Sequence, residues 1–235
     1  MSNPYLLLWL EAPLQSWGSD SKFGRRDTQT FPTKSGVLGL ICSALGAGGE
    51  QHALLAEFAV LSQTAISYVR SKQTREPLLR DFHMVGSGYD DQDPWLNLLI
   101  PKTSEGKKAV GGGTKMTYRY YLQDAVFAVV LEVPADKAEI IAQALQNPAW
   151  DVYLGRKNCV PTDFIYRGIF DNDAAALEQA SSIAMEKQRI EDFRVLHGAL
   201  DDSEADEVFT INDVPVQFGE DKRYRDRQVS LIYAR

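Results

Sequence analysis

The sequence predicts an α+β fold with ferredoxin-like topology, in which strand, helix, strand, strand, helix and strand follow one another. Three observations carry this. An apolar run at residues 5–10 is stopped by Ala12-Pro13, a helical repeat follows at 35–45, and a second strand and helix recur across 118–145. The composition agrees, because 44% hydrophobic and 24% charged residues over 235 positions are the proportions of an ordinary folded chain of one large or two small domains.

Each element has its own signal. Residues 5–10, Tyr-Leu-Leu-Leu-Trp-Leu, are apolar on both faces of an extended segment, as in a central strand covered on both sides. Residues 15–30 hold Trp17, Gly18, Gly24 and two arginines without sustained periodicity, and read as a loop. Thr33 and Ser35 offer capping hydroxyls. Val37, Leu38, Ile41, Ala44 and Leu45 follow at helical spacing, and Gly46 is placed to stop the helix. A second helix is read at 50–61 through Leu54, Leu55, Phe58 and Leu61, with strands at 65–69 and 80–85.

Between 86 and 117 stand six glycines, two prolines and several lysines, an irregular insert far longer than an ordinary connection. Residues 118–133 then read as one long strand, 134–145 as a helix with Pro134 near its start, and 152–154 as a further strand. Beyond 155 the pattern weakens to a helix at 173–187, an acidic stretch at 201–207 and short strands at 214–218 and 228–233. The organisation expected is a domain at 1–155, including the insert at 86–117, and a small α/β extension at 156–235.

Several function classes are disfavoured. The longest uncharged apolar-rich run, 35–49, is shorter than a bilayer span, and the opening lacks the basic flank of a secretory signal, so a cytoplasmic address is expected. Cys42 and Cys159 stand alone without metal-ligand spacing and are expected as reduced, buried thiols, with no metal or cofactor. The run 106–115 lacks the Gly-Lys-Ser/Thr ending of a phosphate loop. Of the three histidines only His83, beside Arg80 and before the insert, is placed to serve metal-independent RNA cleavage, and a lone histidine is more often structural. The carboxylates of 201–207 read as a solvated loop rather than a Mg²⁺ site.

The net charge of −7 argues against nucleic acid only until it is located. Residues 171–207 hold eleven acidic and three basic residues, a balance of −8, so the rest of the chain carries +1. Basic residues cluster at Lys22, Arg25 and Arg26; at Lys102, Lys107, Lys108, Lys115 and Arg119; at Arg156 and Lys157; and at Lys222, Arg223, Arg225 and Arg227. Taken singly, such clusters are ordinary solvated charge. Trp17 with Arg25 and Arg26, then Lys34 and Ser35 at a helix start, adds an aromatic platform and backbone donors to the charge, the parts that hold an RNA strand. Arg119 among Tyr118, Tyr120 and Tyr121 repeats the combination. Packing of Trp17 against the sheet is the competing reading.

The opening Leu8-Trp-Leu-Glu-Ala-Pro-Leu-Gln15-Ser-Trp17-Gly18, the segment Arg25-Arg26 followed by Phe31-Pro-Thr-Lys34-Ser35-Gly36-Val-Leu-Gly39, and Tyr153-Leu-Gly155-Arg156-Lys157-Asn-Cys159-Val-Pro161 together resemble the CasD family of the RAMP superfamily, over residues 5–161. CasD proteins are subunits of the type I-E CRISPR Cascade complex. The resemblance implies a non-catalytic subunit that caps the 5′ handle of CRISPR RNA. It would sit against the backbone subunit and beside the large PAM-recognising subunit, meeting target DNA through the complex and no membrane. It further implies an RRM-like domain whose insert is a thumb wedged at the handle–spacer boundary. Gln15, Trp17, Arg26, Lys34 and Ser35 would grip the handle, Tyr118 and Arg119 would brace the thumb base, and Arg156 and Lys157 would contact phosphates. Arg25 and Lys115 complete the RNA-binding set. In the type I-C branch the equivalent subunit resembles an endoribonuclease with adjacent Lys and His. Here Gln51, Phe82 and Leu196 precede the histidines, which favours binding over repeat-RNA cleavage. A free-standing single-stranded RNA-binding module is the third reading.

Overall fold

The computed structural model describes residues 2–18, 24–71, 73–85, 92–99, 102–107, 115–201 and 204–234. The chain opens with β1 (Tyr5–Glu11) and four two-residue strands, β2 (Leu14–Gln15), β3 (Trp17–Gly18), β4 (Arg25–Arg26) and β5 (Thr28–Gln29). Helices α1 (Lys34–Leu45) and α2 (His52–Phe58) precede β6 (Gln63–Arg70) and β7 (Leu79–Val85). Then come α3 (Pro94–Leu99), β8 (Lys115–Gln123), β9 (Val126–Glu132), α4 (Ala138–Gln146) and β10 (Tyr166–Phe170). The chain ends with α5 (Asp173–Glu186), β11 (Arg189–His197), β12 (Glu207–Gln217) and β13 (Arg223–Tyr233).

Among the described residues seven strands form one antiparallel sheet in the order β10-β1-β9-β6-β11-β13-β12. β1 lies inside it, and Leu6 to Leu10 are all fully buried. Leu6, Leu8 and Leu10 pack with Val37 and Ile41 of α1 and Ile141 of α4. Leu7 and Trp9 point the other way, into a cluster with Ala176, Ala180 and Ile183 of α5. The unbroken apolar run is thus the strand of a sheet covered on both faces, as its sequence predicts. Small alanines on α5 let that helix lie close to the sheet.

Helix α1 obeys its sequence signals. The Thr33 hydroxyl accepts from the Gly36 N–H at 3.2 Å, and Gly46, with φ of 68°, ends the helix. α5 covers its predicted span to within a residue and is capped by Asn172. Cys42 and Cys159 are buried free thiols. No helix among the described residues is long and apolar enough to cross a membrane.

Four expectations change. The single strand at 118–133 is two, β8 and β9, separated at Asp124, whose φ is 45°, and they enter different sheets. Residues 152–154 are not a strand; β10, twelve positions later, is the partner of β1, so the sheet runs unbroken past residue 155. β11 has no counterpart in the reading, because a bulge between Glu191 and Phe193 interrupts the alternation that marks a strand. The two short strands near the C-terminus form a long hairpin, with charged residues along its exposed parts.

β7 and β8 pair outside the main sheet as a ribbon from which the insert rises. Residues 86–91, 100–101 and 108–114 of that insert lie outside the described residues, as do Lys22 and Asp202.

Candidate nucleic-acid interface

The described parts of the loop, 12–18 and 24–33, are held by side-chain contacts within the chain. Gln15 is fully buried; its Nε2 donates to the Leu10 carbonyl at 3.0 Å and the Ala125 carbonyl at 2.6 Å. Its Oε1 accepts from Trp17 Nε1 at 3.1 Å. Trp17 is fully buried against α1, where a Cβ on Gly36 would stand 2.8 Å from the indole. Gly155, with φ of 105°, lies so close that an added Cβ would meet the Ser16 carbonyl oxygen at 1.7 Å, and Ser16 N–H donates to the Leu154 carbonyl at 3.0 Å. The Trp-Gly and Gly-Arg motifs therefore interlock through backbone contact that only glycine permits.

Arg156 completes the closure. Its guanidinium donates to the Tyr120 carbonyl at 3.1 Å and the Arg26 carbonyl at 2.8 Å, and lies 4.6 Å above the Tyr121 ring. Arg25 is spent locally, bonded at 2.8 Å to both Asp27 oxygens and 4.9 Å from the centre of the Tyr120 ring. The Asp27 carboxylate holds the Arg25 guanidinium above its ordinary pKa.

Three residues assigned to RNA contact therefore lie beneath the surface. Gln15, Trp17 and Lys34 expose no surface, because packing and internal hydrogen bonds claim all three. The Lys34 ammonium donates to the carbonyls of Ala59 at 3.3 Å and Leu61 at 2.5 Å; burial, reinforced by the nearby Arg227 charge, pushes it down to about 8. The start of α1 is not free for a phosphate either. Asp213 accepts from the Lys34 N–H at 2.7 Å and Thr33 takes Gly36, so an internal anion already occupies the helix terminus.

Above these residues runs a groove of about 530 Å³. Ser35, Gly36 and Gly39 of α1 make its floor, small residues that leave backbone within reach. Arg26 and Arg156 stand on one side, while Trp150, Tyr153, Lys222 and Tyr224 supply rings and a charge from the later chain. Of the predicted set, Arg26, Ser35 and Arg156 thus meet here, and exposed Lys157 follows Arg156. Trp150, 52% exposed, and Tyr224 escape a reading by motif. The signal for Tyr224 was its place inside the basic cluster 222–227.

The ribbon is a second surface. β7 and β8 pair Phe82 with Tyr118 and Met84 with Met116, and strand alternation puts these four on one face; each is 40–58% exposed. The Phe82 and Tyr118 rings are 5.3 Å apart, and Arg80 stacks 5.7 Å from Tyr118. The alternate face carries Asp81 opposite Arg119 and His83 opposite Thr117, with the His83 imidazole bonded to the Asp81 carboxylate. Lys115 opens β8 opposite Val85.

The exposed cations of the groove and their neighbours in sequence share one property. Arg26, Lys157, Lys222, Arg223 and Arg225 are all exposed, and none has an ion-pair partner among the described residues. Charge, rings and backbone thus meet in one cleft whose one carboxylate, Asp27, is bonded to Arg25, an arrangement that suits an unpaired polyanionic strand.

The profile of the family described as CRISPR-associated protein (Cas_Cas5) matches residues 5–230. The chain is 30% identical over 171 residues to the CRISPR system Cascade subunit CasD of Escherichia coli (strain K12), covering 70% of each protein. It superposes on a chain of a CRISPR RNA-guided surveillance complex with a TM-score of 0.69, at 27% identity over 98% of this chain and 90% of that one. A crystal structure of a Cas protein gives a TM-score of 0.61 at the same identity, covering 98% and 94%. The chain belongs to the Cas5 family of CRISPR-associated proteins.

Proposed function

We propose that this chain is a non-catalytic RNA-binding subunit of a type I-E Cascade complex and caps the 5′ handle of the CRISPR RNA. The groove of unpaired cations and rings over α1 carries the reading. Arg26, Lys157 and Lys222 neutralise phosphates, and Trp150, Tyr153 and Tyr224 take bases. Gln15, Trp17 and Lys34 act from below, by fixing the groove's floor and the loop beside it. The order β10-β1-β9-β6, with α1 and α4 on one face, supports a ferredoxin-like core, and the ribbon of β7 and β8 supports a thumb rising from it. On this reading the ribbon's apolar face meets RNA bases or the backbone subunit, the large PAM-recognising subunit lies alongside, and the complex works in the cytoplasm.

One observation favours a second reading. The bond from Asp81 orients His83 as a general base would be oriented, which suits a metal-independent endoribonuclease. Incubating the chain with 5′-labelled repeat RNA and mature guide RNA in EDTA, on native and denaturing gels, separates the two. Handle-dependent retention of intact RNA is expected. A discrete cleavage product that disappears in His83→Ala would overturn the non-catalytic assignment.

A further inference from the structure

The groove's two walls come from distant parts of the chain, and one buried ion pair ties the later wall to the groove's floor. Asp213 is the extra residue of a bulge in β12, between Asn212 and Val214, which turns its side chain inward to 2% exposure. There its carboxylate accepts from Arg227 Nε at 2.7 Å, Arg227 Nη2 at 2.9 Å and the Lys34 N–H at the start of α1 at 2.7 Å. Arg227 also reaches His197 of β11 at 3.4 Å. Beyond the bulge the hairpin runs over α1. It is pinned again where the Phe218 N–H donates to the Glu50 carbonyl at 3.0 Å, and it then delivers Lys222 and Tyr224 to the groove. Neither Asp213 nor Arg227 lines the groove.

We propose that Asp213 and Arg227 are positioning residues for RNA binding: their pair, locked to the first turn of α1, sets the distance between the hairpin wall and the helical floor. This rests on the groove being the path of the RNA. A buried ion pair is a poor source of net stability but a strong source of register, since only one docking of hairpin on helix satisfies all three donors. The same carboxylate caps the helix that carries Ser35, Gly36 and Gly39, so one group fixes floor and wall together.

The test uses the full chain and 5′-labelled guide RNA, with wild type, Asp213→Asn, Arg227→Met and Lys222→Ala compared at a temperature where melting curves show each fully folded. Asp213→Asn and Arg227→Met should raise the dissociation rate and weaken binding about tenfold, the usual size of coupling through a side-chain network. Their plot of log affinity against log salt should keep the wild-type slope, because no phosphate contact is lost. Lys222→Ala should shallow that slope by about 0.7, one single-strand phosphate contact. Folded Asp213→Asn and Arg227→Met with wild-type affinity, beside a weakened Lys222→Ala, would overturn the positioning role and leave the groove standing. Wild-type affinity and slope in Lys222→Ala as well would remove the groove and the positioning role with it. Should Asp213→Asn fail to fold, Arg227→Met decides the matter, since it leaves the bond from Asp213 to Lys34 in place; failure of both to fold would reduce the pair to a purely structural element.

Discussion

Two groups of cations on opposite sides of the main sheet are held differently. On the α5 side Lys187 bonds Glu11 at 2.9 Å and Asp163 at 2.7 Å, Arg167 bonds Asp163 at 2.6 Å, and Arg189 reaches Glu11 at 3.3 Å. These ion pairs hold the ends of β1, α5 and β11 together. Across the sheet, in and beside the α1 groove, Arg26, Lys222, Arg223 and Arg225 have no ion-pair partner among the described residues. Exposed cations without an internal partner are available to an anion from outside, which internally paired ones are not. The whole-chain charge of −7 hides this asymmetry, because residues 171–207 alone, with eleven acidic and three basic residues, carry −8.

The largest effect expected on the groove side comes from a glycine. Gly155→Ala would put a methyl into the Ser16 carbonyl at a left-handed backbone position and should cost about 3 kcal/mol or more in urea unfolding. Gly49, whose φ is 83° and whose added Cβ would meet nothing within 4 Å, gives the control: Gly49→Ala should cost only the backbone strain, about 1 kcal/mol. Equal losses at the two sites would deny that the Ser16 contact matters.

Burial of Lys34 gives the next effect. Its folded pKa of about 8 lies below the ordinary 10.5, so between those values the unfolded chain holds more protons than the folded one and stability rises with pH. Below pH 8 both states are charged and the full cost of burying the ammonium is felt. The stability of wild type relative to Lys34→Met should therefore improve by about 3 kcal/mol between pH 8 and 10.5, measured by denaturant titration at each pH. A difference that does not change with pH would mean that Lys34 is solvated in the folded chain.

The fold was legible wherever one face or one cap decided the outcome. β1 declared its two covered faces through an unbroken apolar run, and α1 declared both ends through Thr33 and Gly46. β8 and β9 were not separable, because the turn at Asp124, a non-glycine residue with positive φ, carries neither glycine nor proline to mark it. The site was half legible. Arg26, Ser35 and Gly155-Arg156 do converge, but residue type cannot say which side of the surface a side chain occupies. Gln15, Trp17 and Lys34 turned inward, for the chain's own backbone offered them nearer partners. The basic cluster of the hairpin was legible but its place as a wall was not, because that depends on a bulge at Asp213 and a docking onto α1 that span 179 positions of sequence.

The smallest effects sharpen the contrast between the two sides most directly. Arg26→Ala and Lys187→Ala each remove one positive charge, and a field acting at long range would make them equivalent toward RNA. If the pairing asymmetry is what matters, they differ in both readouts. Arg26→Ala should leave the melting temperature near wild type, since an exposed unpaired side chain contributes little to folding, while RNA retention weakens and its salt slope falls. Lys187→Ala strips the shared cation from Glu11 and Asp163 and should cost about 1 kcal/mol of stability, with RNA affinity at moderate salt unchanged. Screening at about 0.15 M salt confines each charge to roughly 8 Å, so a loss of RNA binding in Lys187→Ala could not come from the far side of the sheet acting through solvent. It would place RNA on the α5 face itself, and the groove over α1 would then need another explanation for its unpaired cations.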